Sequence, residues 1–304
     1  MKTIRIATRE SALALWQANH VKALLESAHD DVTCEIVGMT TEGDRNKVSP
    51  LSQMGGKGVF VKELETALLE GSVDIAVHSM KDVPGELPEG LEIAAMVERA
   101  DPRDAFVSNN FAGLAELPDG ARVGSSSLRR VLQLKAAFPG LQFLELRGNV
   151  DTRLRKLDEG QYEAIILAVA GLSRLGLSAR VADAISADVS IPAAGQGAVG
   201  IECRSDDSAT RELLDAINHE TTWQCVGAER EVTLMLGATC NLPIAVFAEI
   251  ADSNLVITGY VSDISGEQVV RESLQGPAAN AQHLARELGT RLLDQGAAGL
   301  IGSA

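Results

Sequence analysis

Short apolar runs alternate with stretches of helical period through the first two-thirds of the chain, and this narrows the fold more than any other feature. Residues 4–7 read as a strand, and residues 12–27 as a helix with Leu15, Ala18, Leu24 and Leu25 near helical period. A second strand spans 35–39. Residues 60–69 form a helix with Phe60, Leu64, Ala67 and Leu68 on one face and Gly71 as its stop, and 73–77 form the next strand. That order requires a parallel or mixed sheet covered by helices. The pattern restarts near Asp104, with strands at 121–123, 141–146 and 164–169 and helices at 128–138 and 152–159. In both halves a helix stops at Glu-Gly (Glu70-Gly71, Glu159-Gly160) before an apolar strand. This is either an internal duplication or the ordinary chemistry of αβ loops. After Glu220 the style changes to strands at 244–249, 255–262 and 268–274, turns at 252–254 and 265–266, and a helix at 279–295, a small α+β unit. Residues 42–58 hold Gly43, Pro50, Gly55, Gly56 and Gly58 with little periodicity, and read as a loop that could serve as a lid.

The chain has 304 residues and a formal net charge of -15, so two or three domains are expected, and the chain is a poor candidate for anionic membranes and is repelled by nucleic acid unless it carries a strongly basic patch. No apolar run approaches the roughly 20 residues of a spanning helix, and the first residues show no signal-sequence pattern, so a cytoplasmic location is expected. Cys34, Cys203, Cys225 and Cys240 form no C-x-x-C pair, and no zinc site or disulfide framework is indicated. No metal is expected.

Two arginine groups stand where strands meet helix starts. In Gly124-Ser125-Ser126-Ser127-Leu128-Arg129-Arg130 the serines cap the first turn, and two arginines occupy positions that favour anions. The same conflict recurs in Arg147-Gly148-Asn149-Val150-Asp151-Thr152-Arg153. Either these side chains point into solvent or pair with surface carboxylates, or an anionic ligand sits at the carboxyl ends of the strands. Gathered around one cleft with Arg9, they would suit a polyanionic small molecule. Lys81 and Asp82 follow a buried strand, where Asp82 could hold a cation or simply lie in a solvated turn. His78 reads as structural. Gly195-Gln196-Gly197 lacks phosphate-loop spacing and reads as a hinge or close backbone crossing. Cys240 lies in a loop before a strand.

Several blocks in order resemble the porphobilinogen deaminase (hydroxymethylbilane synthase) family. They are Arg5-Ile6-Ala7-Thr8-Arg9-Glu10-Ser11, Gly55-Gly56-Lys57-Gly58-Val59-Phe60, Val77-His78-Ser79-Met80-Lys81-Asp82-Val83-Pro84, Ser126-Ser127-Leu128-Arg129-Arg130, Leu146-Arg147-Gly148-Asn149, Pro192-Ala193-Ala194-Gly195-Gln196-Gly197 and the Cys240 loop. The resemblance implies an α/β fold: two lobes like periplasmic binding proteins with mixed sheets, plus a small C-terminal α+β domain. The domains would span 1–98 with 198–216, 103–192, and 220–304. It implies a cytoplasmic, monomeric transferase that condenses four porphobilinogen molecules head to tail, with loss of ammonia, and releases a linear tetrapyrrole by hydrolysis. The primer would be a dipyrromethane cofactor held by Cys240 as a thioether. The resemblance gives Asp82, Lys81 and Arg9 catalytic roles. It gives Ser127, Arg129, Arg130, Arg147, Asn149, Arg153, Asp44, Lys57 and Gln196 to the cofactor, and Ser11, Phe60 and Arg174 to substrate or lid. Family members often carry Gly-Gly before the cysteine, where Ala238-Thr239 stand here, and a lid lysine where Gln53 stands. The competing expectation is a two-lobed dicarboxylate-binding protein without catalysis.

Overall fold

A computed structural model describes residues 2–45, 58, 60–237 and 242–301. The first lobe begins with β1 (Lys2–Arg9), α1 (Ala12–Ala28), β2 (Val32–Met39), α2 (Glu42–Arg45), α3 (Lys62–Leu69), β3 (Ile75–Ser79) and β4 (Leu91–Met96). Ser11 starts α1 by accepting from the Ala14 N–H at 3.3 Å. Ala14, Ala18, Val21 and Leu25 then bury one stripe of α1 against the sheet. The second lobe holds β5 (Asp104–Val107), β6 (Arg122–Gly124), α4 (Leu128–Ala137), β7 (Gln142–Leu144), α5 (Val150–Asp158), β8 (Ala164–Ala168), α6 (Val169–Arg174) and β9 (Asp183–Ile185). The chain then returns through β10 (Val199–Arg204) and α7 (Ser208–Asp215) to the first lobe.

Both sheets have the same topology. Their orders are β2-β1-β3-β10-β4 and β7-β6-β8-β5-β9. In each, the first three strands are parallel and the fourth is antiparallel to both neighbours. The Glu-Gly echo falls at equivalent places, with Gly71 at φ +70° and Gly160 at φ +75°. The chemistry around it also repeats. Arg5 donates to the Gly71 carbonyl at 2.9 Å and pairs with Asp74, while Arg122 donates to the Gly160 carbonyl at 3.1 Å and pairs with Glu163. The shared strand order and the repeated Arg–acid pairing are what an internal duplication would leave.

The two antiparallel strands β5 and β10 carry the chain between lobes. The segments before them run side by side, with Val97 N–H donating to Val199 O and Ala100 N–H to Gly197 O. The crossing is tight. A Cβ at Gly195 (φ +71°) would lie 2.7 Å from Met80 Cβ, and one at Gly197 (φ +86°) would collide with the Ala100 carbonyl. Beyond the lobes, α8 (Glu220–Met235) and α9 (Ala281–Asp294) cover an antiparallel sheet of β11 (Ile244–Ala251), β12 (Asn254–Ser262) and β13 (Val269–Pro277), and α10 (Ala297–Ile301) follows. Val232, Val246, Ile257 and Leu288 lie in their shared core. The β11–β12 hairpin turns through Asp252 and Ser253, both at positive φ.

The expected loop at 42–58 differs at its start, because Glu42–Arg45 form a helical turn. Most of that loop, including Lys57, lies outside the described residues, as does the Cys240 segment at 238–241.

Candidate functional site

The arginines at the start of α4 meet an anion that the chain itself supplies. Asp104, the first residue of β5, is fully buried. Its carboxylate accepts from Arg129 Nη1 and Nη2 at 2.9 and 3.1 Å and from Arg130 Nε at 2.9 Å. Ser190 Oγ (2.8 Å) and Gln196 Nε2 (2.9 Å) complete its shell. Neither arginine therefore points into bulk solvent, and the locally disfavoured cations are partly neutralised by Asp104. Burial opposes the charge on Asp104, but the two guanidiniums hold its carboxyl far below the usual range. Two cations on one carboxylate leave a positive surplus, and both arginines line a cavity.

The serines act differently from the caps expected. Ser126 Oγ donates to Leu146 O and accepts from Leu146 N–H, and Ser125 Oγ accepts from Ser127 N–H. Ser126 thereby ties its loop to the one after β7, while Ser125 braces its own loop. Ser127 is the N-cap residue of α4, yet its side chain makes no cap bond, and it also lines the cavity.

Two adjoining cavities open between the lobes, of about 300 and 270 Å³. Lys81, Arg130 and Gln196 line both. The first is walled by Asp82, Ser127 and Arg129, and also by Gly237 and Leu242, which flank the Cys240 segment. Lys81 and Asp82 belong to a 3₁₀ turn after β3, against which the Gly195 crossing packs. Burial draws the Lys81 ammonium down to about 8 against the pull of Asp82, and Arg130 adds to the lowering. Gln196 holds the junction, donating to Pro102 O at 2.6 Å and accepting from Arg130 at 3.3 Å and Lys81 at 3.4 Å.

Arg9, Ser11, Asn149, Arg153 and Arg174 line the second cavity. Arg9 is clamped by both oxygens of Asp44 and lies 4.2 Å from the Phe60 ring centroid. Asp44 also accepts from Thr41; burial opposes its charge, but these bonds hold its carboxyl below the ordinary value. Gly43 leaves room for Phe60, which a Cβ there would strike. Asn149 caps α5 by accepting from Thr152 N–H at 3.0 Å. Arg153 donates to Gly148 O at 2.7 Å, and Arg174 to Gly197 O at 2.6 Å. Neither has a carboxylate partner among the described residues. Burial pulls both guanidiniums down to about 10, and Arg130 and Arg147 contribute for Arg153. An arriving carboxylate would relieve that cost.

Not every expected residue converges. Arg147 lines neither cavity, and its guanidinium pairs with Glu145. His78 is buried on Glu202 at 2.8 Å, a structural pairing as its sequence context indicated. Sequence reasoning missed Asp104. It also missed Arg230 of α8, which lines the first cavity and donates to the carbonyls of Val83 and Pro84, just after Asp82. Cys34, Cys203 and Cys225 are core residues whose thiols burial pushes up to about 11, 12 and 11, away from reactivity. Among the described residues no cluster of three or more His, Cys, Asp or Glu could hold a metal, and no helix is long and apolar enough to cross a membrane.

The cleft can thus bind several carboxylates at once. Arg9, Arg129, Arg130, Arg153, Arg174, Arg230 and Lys81 line it against Asp82, Glu86 and Asp151. This surplus sits in a protein of net charge -15.

Residues 4–212 match the family described as "Porphobilinogen deaminase, dipyromethane cofactor binding domain", and residues 223–294 match "Porphobilinogen deaminase, C-terminal domain". The chain is 52% identical over 296 residues to the porphobilinogen deaminase of Methylobacillus flagellatus, covering 97% of this chain and 96% of that one. It is 52% identical over 301 residues to that of Chromobacterium violaceum, covering 99% and 97%. Among solved structures, a putative methionine-binding lipoprotein of Bacillus subtilis is 15% identical with a TM-score of 0.44, covering 73% of this chain and 92% of that one.

Proposed function

This chain belongs to the porphobilinogen deaminase family, and from that premise we propose that it condenses four porphobilinogen molecules head to tail, releasing ammonia at each addition and a linear tetrapyrrole at the end. The primer is a dipyrromethane joined to Cys240 by a thioether. When bound, it supplies the nucleophilic pyrrole carbon from which the chain grows. One observation carries this reading. Asp82, Lys81, Arg129 and Arg130 line a single cavity with Gly237 and Leu242, the flanks of the cysteine segment.

The residues present fit such a group. Each pyrrole bears an acetate and a propionate, which call for several cations, and its ring N–H calls for a carboxylate. Arg129 and Arg130, braced on Asp104, present their remaining N–H edges to carboxylates in the first cavity. Ser127 adds a hydroxyl and the uncapped first turn of α4. Arg9, Arg153 and Arg174 continue the cationic track into the second cavity, with Asn149 and Ser11 along its wall. Gln196 keeps Lys81 and Arg130 in register where the cavities meet. Loss of ammonia from porphobilinogen leaves an electron-poor methylene carbon. Asp82, in the turn against which the hinge packs, is the carboxylate of the first cavity that would steady that charge. Lys81 offsets Asp82 and holds a substrate carboxylate. Arg147 and Lys57 assign to the cofactor from the family pattern alone.

The reading includes three domains at 1–98 with 198–216, 103–192, and 220–304, and a cytoplasmic monomer. Its test is turnover of porphobilinogen by the wild-type chain and by Asp82→Asn. The wild type should release ammonia and tetrapyrrole, while Asp82→Asn should fold normally and lose about 10²–10³ in kcat. A wild type that binds porphobilinogen without releasing ammonia would establish the two-lobed binding protein instead.

A further inference from the structure

Trp16 lies on α1 of the first lobe and is 37% exposed. His20, one turn on, stacks against it with ring centroids 5.0 Å apart and planes 19° apart. From the second lobe Arg174, the last residue of α6, places its guanidinium 5.5 Å from the Trp16 ring centroid. The same guanidinium donates Nη2 to the hinge carbonyl of Gly197 at 2.6 Å. Close by, Gly171 of α6 approaches Leu13 of α1, where a Cβ would lie 3.8 Å from Leu13 Cδ2. Arg174 lines the second cavity and has no carboxylate partner among the described residues. One ring and one carbonyl therefore define where this cation points, and the ring belongs to the opposite lobe.

We infer that Trp16 is a positioning residue: its indole holds the Arg174 guanidinium across the cleft, latching the lobes beside the second cavity and aiming the remaining N–H groups at an incoming carboxylate. The inference rests on the function proposed above and adds a residue to it. An arginine held on an aromatic face is ordered before the ligand arrives, so binding loses less side-chain entropy. Leucine in place of Trp16 would fill space without a negative ring face, whereas phenylalanine would keep one. Trp16 is partly exposed, so neither change empties the core.

The experiment compares wild type, Trp16→Phe and Trp16→Leu in steady-state turnover of porphobilinogen and in calorimetric binding of citrate, a small polycarboxylate. Trp16→Leu should raise KM about three- to tenfold with kcat nearly unchanged, and weaken citrate by a similar factor. Trp16→Phe should restore both toward wild type. Equal KM and citrate affinity in all three proteins overturns the inference, as does a Phe variant no better than the Leu variant. If the wild type produces no tetrapyrrole, the proposed function fails, and citrate affinity alone still decides the role of Trp16.

Discussion

Replacing Asp104 by asparagine removes one charge from a closed shell and leaves two guanidiniums behind. Arg129 and Arg130 are 5% and 6% exposed, so they keep little contact with water beyond the cavity they line. Breaking one side of a buried ion pair typically costs about 3–5 kcal/mol, because the surviving charge stays desolvated. Asparagine keeps the shape and one acceptor for Ser190, but it turns a second acceptor into a donor facing N–H groups. We expect Asp104→Asn to lose about 4 kcal/mol, a large share of the roughly 5–15 kcal/mol of a typical fold. Urea unfolding at pH 7 measures this as a lower midpoint with an unchanged slope. The sign with pH is also set. The folded pKa is depressed, so the stabilisation is present above the unfolded carboxyl value near 3.9 and is lost only in strong acid. The loss in the variant should therefore be the same at pH 5 and pH 6, below the value near 8 at which Lys81, whose charge Asp104 supports, begins to titrate. Adding Arg130→Met to Asp104→Asn removes one stranded cation, so the double variant should lose about 1–3 kcal/mol less than the sum of the single losses. A single-variant loss below about 1 kcal/mol, or simple additivity, would refute the buried hub.

Gly197→Ala must place a Cβ at φ +86° against the Ala100 carbonyl, and should cost about 3 kcal/mol in urea unfolding; a loss under about 1 kcal/mol would mean the crossing is looser than described. Glu65 of α3 is buried, and burial, then Glu202, raise its carboxyl to about 7 against the opposing effect of His78. A raised folded pKa contributes stability that is full below the unfolded value near 4.5 and is lost as pH rises through 7. Glu65→Gln should then melt close to wild type at pH 4.5 and above it at pH 8, and a difference independent of pH would contradict the assignment.

The alternation of runs and periods was enough to read both lobes, because each parallel strand and its following helix are local in sequence. The antiparallel strands were harder. Asp104–Val107 and Val199–Arg204 pair with strands far away in the chain, and only Gly195 and Gly197 marked the crossing. Helix α8 escaped because its buried face includes Thr222, Cys225 and Glu229, which blur an apolar stripe. Glu229 is buried for a tertiary reason, accepting from Arg99, Gly195 and Ala248. The site divides the same way. Arg129 and Arg130 were visible as cations in a helix's first turn, a local contradiction. Their partner Asp104 was not, since 25 positions separate it from Arg129 and nothing local links them. The cationic walls could be read from sequence, but the carboxylate that braces them required the fold.

The mass of the intact purified protein, followed by mapping of the peptide that contains residue 240, addresses the primer most directly. A thioether-bound dipyrromethane predicts a mass above that of the sequence by one such group, carried on Cys240 and absent from Cys240→Ser. Full tetrapyrrole production by a chain whose four cysteines are all unmodified would contradict it.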